Sequence, residues 1–113
     1  MTPERWRVTV ITEEALEPSD QELDDVRAEL RMQPDVDAVC DVERAPNGAV
    51  RAVMSVSDKS SVNAKSKATG ALVGALQEST VWVRTRYVGK GPIEQAKVAS
   101  AEAKPLGPND PDC

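Results

Sequence analysis

An α+β fold with a four-stranded antiparallel sheet is what this sequence predicts, and three observations predict it. Apolar residues alternate with polar ones in four short stretches, near residues 5–12, 38–42, 50–56 and 80–88. Two longer segments, 19–33 and 58–78, carry apolar residues at helical spacing instead. An Asn47-Gly48 pair lies between the second and third alternating stretches, the strongest local signal of a hairpin.

Each element has its own grounds. In residues 5–12, Trp6, Val8 and Val10 fall on one side, and Arg5, Arg7, Thr9 and Ile11 on the other. This is the pattern of a half-buried strand. Ser19 followed three residues later by Glu22 forms a capping box that opens a helix. Leu23, Val26 and Leu30 are its apolar stripe, Pro34 ends it, and Asp20, Glu22, Asp24 and Asp25 crowd the end where the helix dipole favours negative charge. Ala38, Cys40 and Val42 then alternate up to Pro46-Asn47-Gly48, and Val50, Ala52, Met54 and Val56 alternate after it. A second helix is expected from Asp58 or Ser60 to Glu78, with Val62, Ala68, Leu72, Ala75 and Leu76 inward. Thr80–Val88 reads as the last strand, with Val81, Val83, Thr85 and Tyr87 opposite Trp82, Arg84, Arg86 and Val88.

The resulting order, β-α-β-β-α-β, matches the split βαβ or ferredoxin-like arrangement. Right-handed crossovers put both helices on one face of the sheet, with spatial order 4-1-3-2 and the other face bare. Residues 1–90 then form the domain. Gly91-Pro92 starts a short C-terminal helix over 91–104, and the proline-rich residues 105–113 form a flexible tail or an arm along a neighbour.

Composition sets further bounds. Fifteen Val and fourteen Ala stand against six Leu, two Ile and no Phe. Small side chains bury little area each, so the core is thin, and a domain marginal alone or stabilised in an oligomer is expected. The longest apolar run, Ala71–Leu76, is far short of the ~20 residues that span a bilayer. The first residues lack a signal-peptide pattern. Cys40 and Cys113 form no metal or redox motif; Cys40 reads as a small buried strand residue and Cys113 as the end of the tail. A reducing, cytoplasmic location follows, or a virion if the Ala/Val/Arg/Asp-rich composition reflects a bacteriophage genome.

The chain contains no histidine, which removes the commonest general base and a major metal ligand. Asp35-Val36-Asp37-Ala38-Val39-Cys40-Asp41 lacks the glycine and the terminal glutamate of a calcium loop. Gly89-Lys90-Gly91 fits neither phosphate-loop pattern and reads as a flexible exit from the last strand. Gly70 and Gly74 have a spacing that lets the second helix lie close to its sheet. No cofactor, metal site or catalytic residue is expected.

Charge is the strongest functional signal. Residues 13–43 hold twelve carboxylates and two arginines, whereas 44–104 hold ten basic and four acidic residues. A fold that separates these segments is an electrostatic dipole suited to oriented docking. The basic side is expected on the bare sheet face, at Arg5, Arg7, Arg51, Trp82, Arg84 and Arg86, interleaved with Ile11, Val39, Val53 and Val88. Its counterpart is the first helix, through Asp20, Glu22, Asp24, Asp25 and Glu29. The leading expectation is therefore a non-enzymatic assembly or adaptor protein, a homo-oligomer or part of a larger complex, such as a phage structural or accessory protein. A single-stranded nucleic-acid-binding module using the same face is the first alternative, although Trp82 alone makes a thin stacking platform. A small-molecule-binding regulatory domain is the second.

Overall fold

Alternation in the first strand becomes two unlike surfaces. In β1 (Glu4–Thr12), Val8, Val10 and Thr12 are buried, while Arg5, Arg7, Thr9 and Ile11 stay half-buried on the other face. The computed structural model of the chain describes residues 4–13, 17–79, 98–107, 109–111 and 113. Within them the order is β1, α1 (Asp20–Arg31), β2 (Ala38–Arg44), β3 (Val50–Asp58), α2 (Ser61–Glu78) and β4 (Val98–Leu106). The fold is α+β: a four-stranded antiparallel sheet, in the order β2-β3-β1-β4, with two helices.

The local signals explain most boundaries. The Glu22 N–H donates to Ser19 Oγ (3.2 Å), and the Ser19 N–H donates to Glu22 Oε1 (3.0 Å), so α1 opens on a capping box. The hairpin turn closes through the Gly48 N–H and the Ala45 carbonyl (2.8 Å). Gly48 sits there at φ 84°, a conformation that a side chain disfavours. Where the β1–β4 register shifts between Ile11 and Thr12, the Thr12 hydroxyl accepts the Val50 N–H at 3.0 Å.

Both helices cover the face formed by Val8, Val10, Ala52, Met54 and Val56. Leu23, Val26 and Leu30 come from α1; Ala64, Ala68, Ala71, Leu72, Ala75 and Leu76 come from α2. The alanines, spaced four, three and four apart, let α2 lie close to the sheet. Neither glycine marks that approach. A side chain at Gly70 would meet nothing within 4 Å, and one at Gly74 would meet the Gln33 amide at 3.3 Å. Val62, expected inward, is 68% exposed because it precedes the alanine stripe by a half-turn.

At the β3–α2 junction Asp58 orders the chain. Its Oδ1 accepts the N–H groups of Lys59 (2.7 Å) and Ser60 (3.2 Å), and Lys67 Nζ lies 2.8 Å from its Oδ2. The Ser60 hydroxyl caps α2, and the Trp6 indole N–H donates to the Asp58 carbonyl at 3.1 Å. The Lys67 hydrogen bond, aided by those two N–H groups, holds the Asp58 carboxyl down at about 2. Asp58 itself raises Lys67 above its usual value. A carboxyl depressed by folding contributes stability that is complete above its ordinary value of 3.8 and is lost as pH falls towards about 2. Acid titration of Asp58→Asn followed by circular dichroism is expected to show a shallower loss of stability between those two pH values. An unchanged slope rejects this role.

The C-terminal third departs from expectation. Residues 98–104, expected to be helical, belong to β4, which takes the edge place beside β1. Burying the apolar faces leaves the outer N–H and C=O groups of β1 needing partners, and an antiparallel strand supplies them along the whole edge. Ala101 and Ala103 pack against the core, whereas Glu102 and Lys104 are exposed, so Ala-Glu-Ala-Lys satisfies the strand period as well as helix propensity. Pro105 is tolerated because β4 is an edge strand. The Thr80–Val88 strand, Gly89-Lys90-Gly91 and the helix start at Gly91-Pro92 lie outside the described residues.

Candidate functional site

The outer face of the sheet is where the unexpected structure lies. Cross-strand register places Arg5 opposite Ser57 and Leu106, Arg7 opposite Ser55 and Lys104, and Thr9 opposite Val53 and Glu102. Directly opposed residues share a face. The same face includes Arg51 opposite Ile11 and Glu43, and Asp41 opposite Val53. Two of these residues are more buried than an open face allows: Ser55 is 0% exposed and Val53 8%.

The C-terminal segment runs over the same face, tied to Arg5, Arg7 and Cys40. After β4, the Gly107 N–H donates to Asp110 Oδ2 (2.7 Å) and the Asp110 N–H returns to the Gly107 carbonyl (3.1 Å), closing a turn. Arg5 Nη2 donates to the carbonyls of Gly107 (2.8 Å) and Asp110 (3.0 Å), and Arg7 Nη2 donates to that of Pro111 (3.1 Å). The segment ends at Cys113, disulfide-bonded to Cys40 on β2 with the Cα atoms 5.0 Å apart. From the β4 edge to β2 is three strand spacings, about 14 Å, a distance within reach of seven residues even with a turn among them. Gly107, Asn109–Pro111 and Cys113 therefore mark a strap across the sheet, with a cavity of about 350 Å³ beside it lined by Arg7, Lys104, Pro105, Leu106, Asp110, Pro111 and Cys113.

This pairing corrects the expectation of two unlinked cysteines and a free tail. No free cysteine is present, so the inference of a reducing compartment loses its premise. Simple alternation put Cys40 on the core face. The register instead shifts between Val39 and Asp41, leaving Cys40 as the extra residue of a bulge. Val39 then packs against the core, and the Cys40 sulfur reaches the strap.

The predicted site residues are dispersed. Arg5 and Arg7 hold the strap, and Arg51 pairs with Glu43 at 2.7 Å. Trp82, Arg84 and Arg86 lie outside the described residues. On α1, Asp20 faces solvent 3.5 Å from Arg44, and Asp24 is exposed and pairs with Arg27. Glu22 is buried in the capping box, and Asp25 and Glu29 are half-exposed on its flanks. Of the acidic run, Asp37 accepts the Ser57 hydroxyl. Among the described residues no group of three or more His, Cys, Asp or Glu is placed to hold a metal ion. No helix among them is long and apolar enough to cross a membrane.

Residues that sequence reasoning missed are Cys40, Cys113, Ser55, Lys104 and Asp110. An even cysteine count was the one available signal for the first two. A second, shallower cleft of about 500 Å³ lies between Glu17–Ser19 and Arg44–Gly48. Glu17 at its rim has φ 47°, a left-handed backbone held by its N–H on the Gly48 carbonyl at 2.8 Å. No protein-family model matches this chain, and no curated protein resembles it significantly in sequence.

Proposed function

We propose that the protein is a non-enzymatic docking or assembly module of ferredoxin-like architecture, whose first partner is a second copy of itself. The carboxylates of α1 on one copy meet the cationic residues of the outer sheet face on the next. What supports this reading is their placement on opposite sides of the molecule. Asp20 and Asp24 are exposed on the helical layer, flanked by Asp25 and Glu29, while Arg5, Arg7, Arg51 and Lys104 lie across the sheet. Asp41, Glu43 and Glu102 share that outer face, so attraction concentrates at the Arg5–Arg7–Lys104 end. A contact between unlike surfaces is heterologous and builds rings or filaments.

Light scattering after size exclusion tests this at low and high salt. With the Cys40–Cys113 disulfide reduced, the wild-type chain is expected to exceed its monomer mass of 12.2 kDa at low salt and to dissociate as salt rises. Asp24→Lys with Glu29→Lys is expected to remain monomeric. A reduced wild-type chain that is monomeric at low salt rejects self-docking.

A further inference from the structure

We propose that the C-terminal strap described at Gly107, Asn109–Pro111 and Cys113 is thiol-released: the Cys40–Cys113 disulfide closes it over the outer sheet face, and a dithiol reductant opens it. The proposal rests on the docking reading only for what the opened face then binds.

The strap is built to come away without dismantling the fold. Sheet pairing with β1 ends at Leu106, before the strap begins. No described strap residue belongs to the hydrophobic core, and Asn109, Asp110, Pro111 and Cys113 are exposed. Its non-covalent anchors include hydrogen bonds from Arg5 and Arg7 to backbone carbonyls, which water replaces at little cost. The disulfide is thus the element that makes closure lasting.

The covered surface has the marks of a face closed but not satisfied. Ser55 Oγ and Arg7 Nε are buried with no hydrogen-bond partner among the described residues. Permanent cores pair such groups.

The chemistry balances with a dithiol as co-reactant. Cys113 is exposed and Cys40 half-buried, so the reductant's thiolate attacks the Cys113 sulfur and Cys40 leaves as a thiolate. The reductant's second thiol resolves the mixed disulfide. Two electrons and two protons pass to the cysteines, and the reductant becomes a cyclic disulfide.

Backbone NMR relaxation on the whole chain, oxidised and then treated with dithiothreitol, tests this. Order parameters at Asn109 and Asp110 are expected to fall from about 0.85 to below about 0.6, with the β1–β3 and β1–β4 amides keeping their shifts. Cys113→Ser is expected to show the reduced pattern without reductant. Strap residues that stay ordered after reduction overturn the proposal. So does loss of the sheet resonances, which would make the disulfide a structural staple. Light scattering on the same samples separates the two ideas: a released strap with no change in mass keeps the strap and counts against docking through this face.

Discussion

Leu30→Ala is expected to destabilise the protein by about 2–5 kcal/mol. Leu30 is fully buried among Val and Ala side chains, one of few large residues between α1 and the sheet. The loss combines the transfer free energy of the removed carbons with the cavity they leave, which short neighbours refill poorly. Small domains are stable by only about 5–15 kcal/mol, so one such deletion removes much of the total. Chemical denaturation measures it through the midpoint. Met32→Ala, at a residue 76% exposed just beyond the same helix, is the control and is expected to change stability by under about 0.5 kcal/mol. Similar midpoints for the two variants would show that the α1–sheet interface is loosely packed.

Cys40→Ser is expected to cost about 2–4 kcal/mol. The bridged residues are 73 apart, and closing a loop of that size restricts the unfolded chain strongly. The effect acts through the unfolded ensemble, so the native sheet signals are expected to persist while the midpoint falls. Cys113→Ser is expected to match it, because each variant deletes the same cross-link. Unequal midpoints would mean that one thiol has a separate packing role, with Cys40 in its bulge the better placed.

Local chemistry made much of the fold legible. A capping box, an Asn-Gly turn and strand alternation act over a few residues, so the starts of α1 and α2 and the β2–β3 hairpin could be read directly. The last third could not. Val98–Leu106 has alanine-rich helical propensity, and only the demand of the β1 edge for hydrogen-bond partners makes it a strand. The proposed site was legible at Arg5 and Arg7, whose outward direction follows from the phase of β1. Their use was not, because the strap reaches them from more than a hundred residues away.

Charge shows the same division. Sorting along the chain suggested one acidic and one basic side, but folding interleaves many of the charges. Arg44 comes to Asp20, Arg51 to Glu43, and Lys67 pairs with Asp58. By itself the sequence determined what depends on neighbours in the chain: the caps, the turn, the period of each strand and the small side chains of the core. Only the tertiary structure decided the edge strand, the bulge that redirects Cys40 and the disulfide strap. Those depend on which distant backbone groups and sulfur atoms meet after the apolar faces are buried, and no local pattern encodes that meeting.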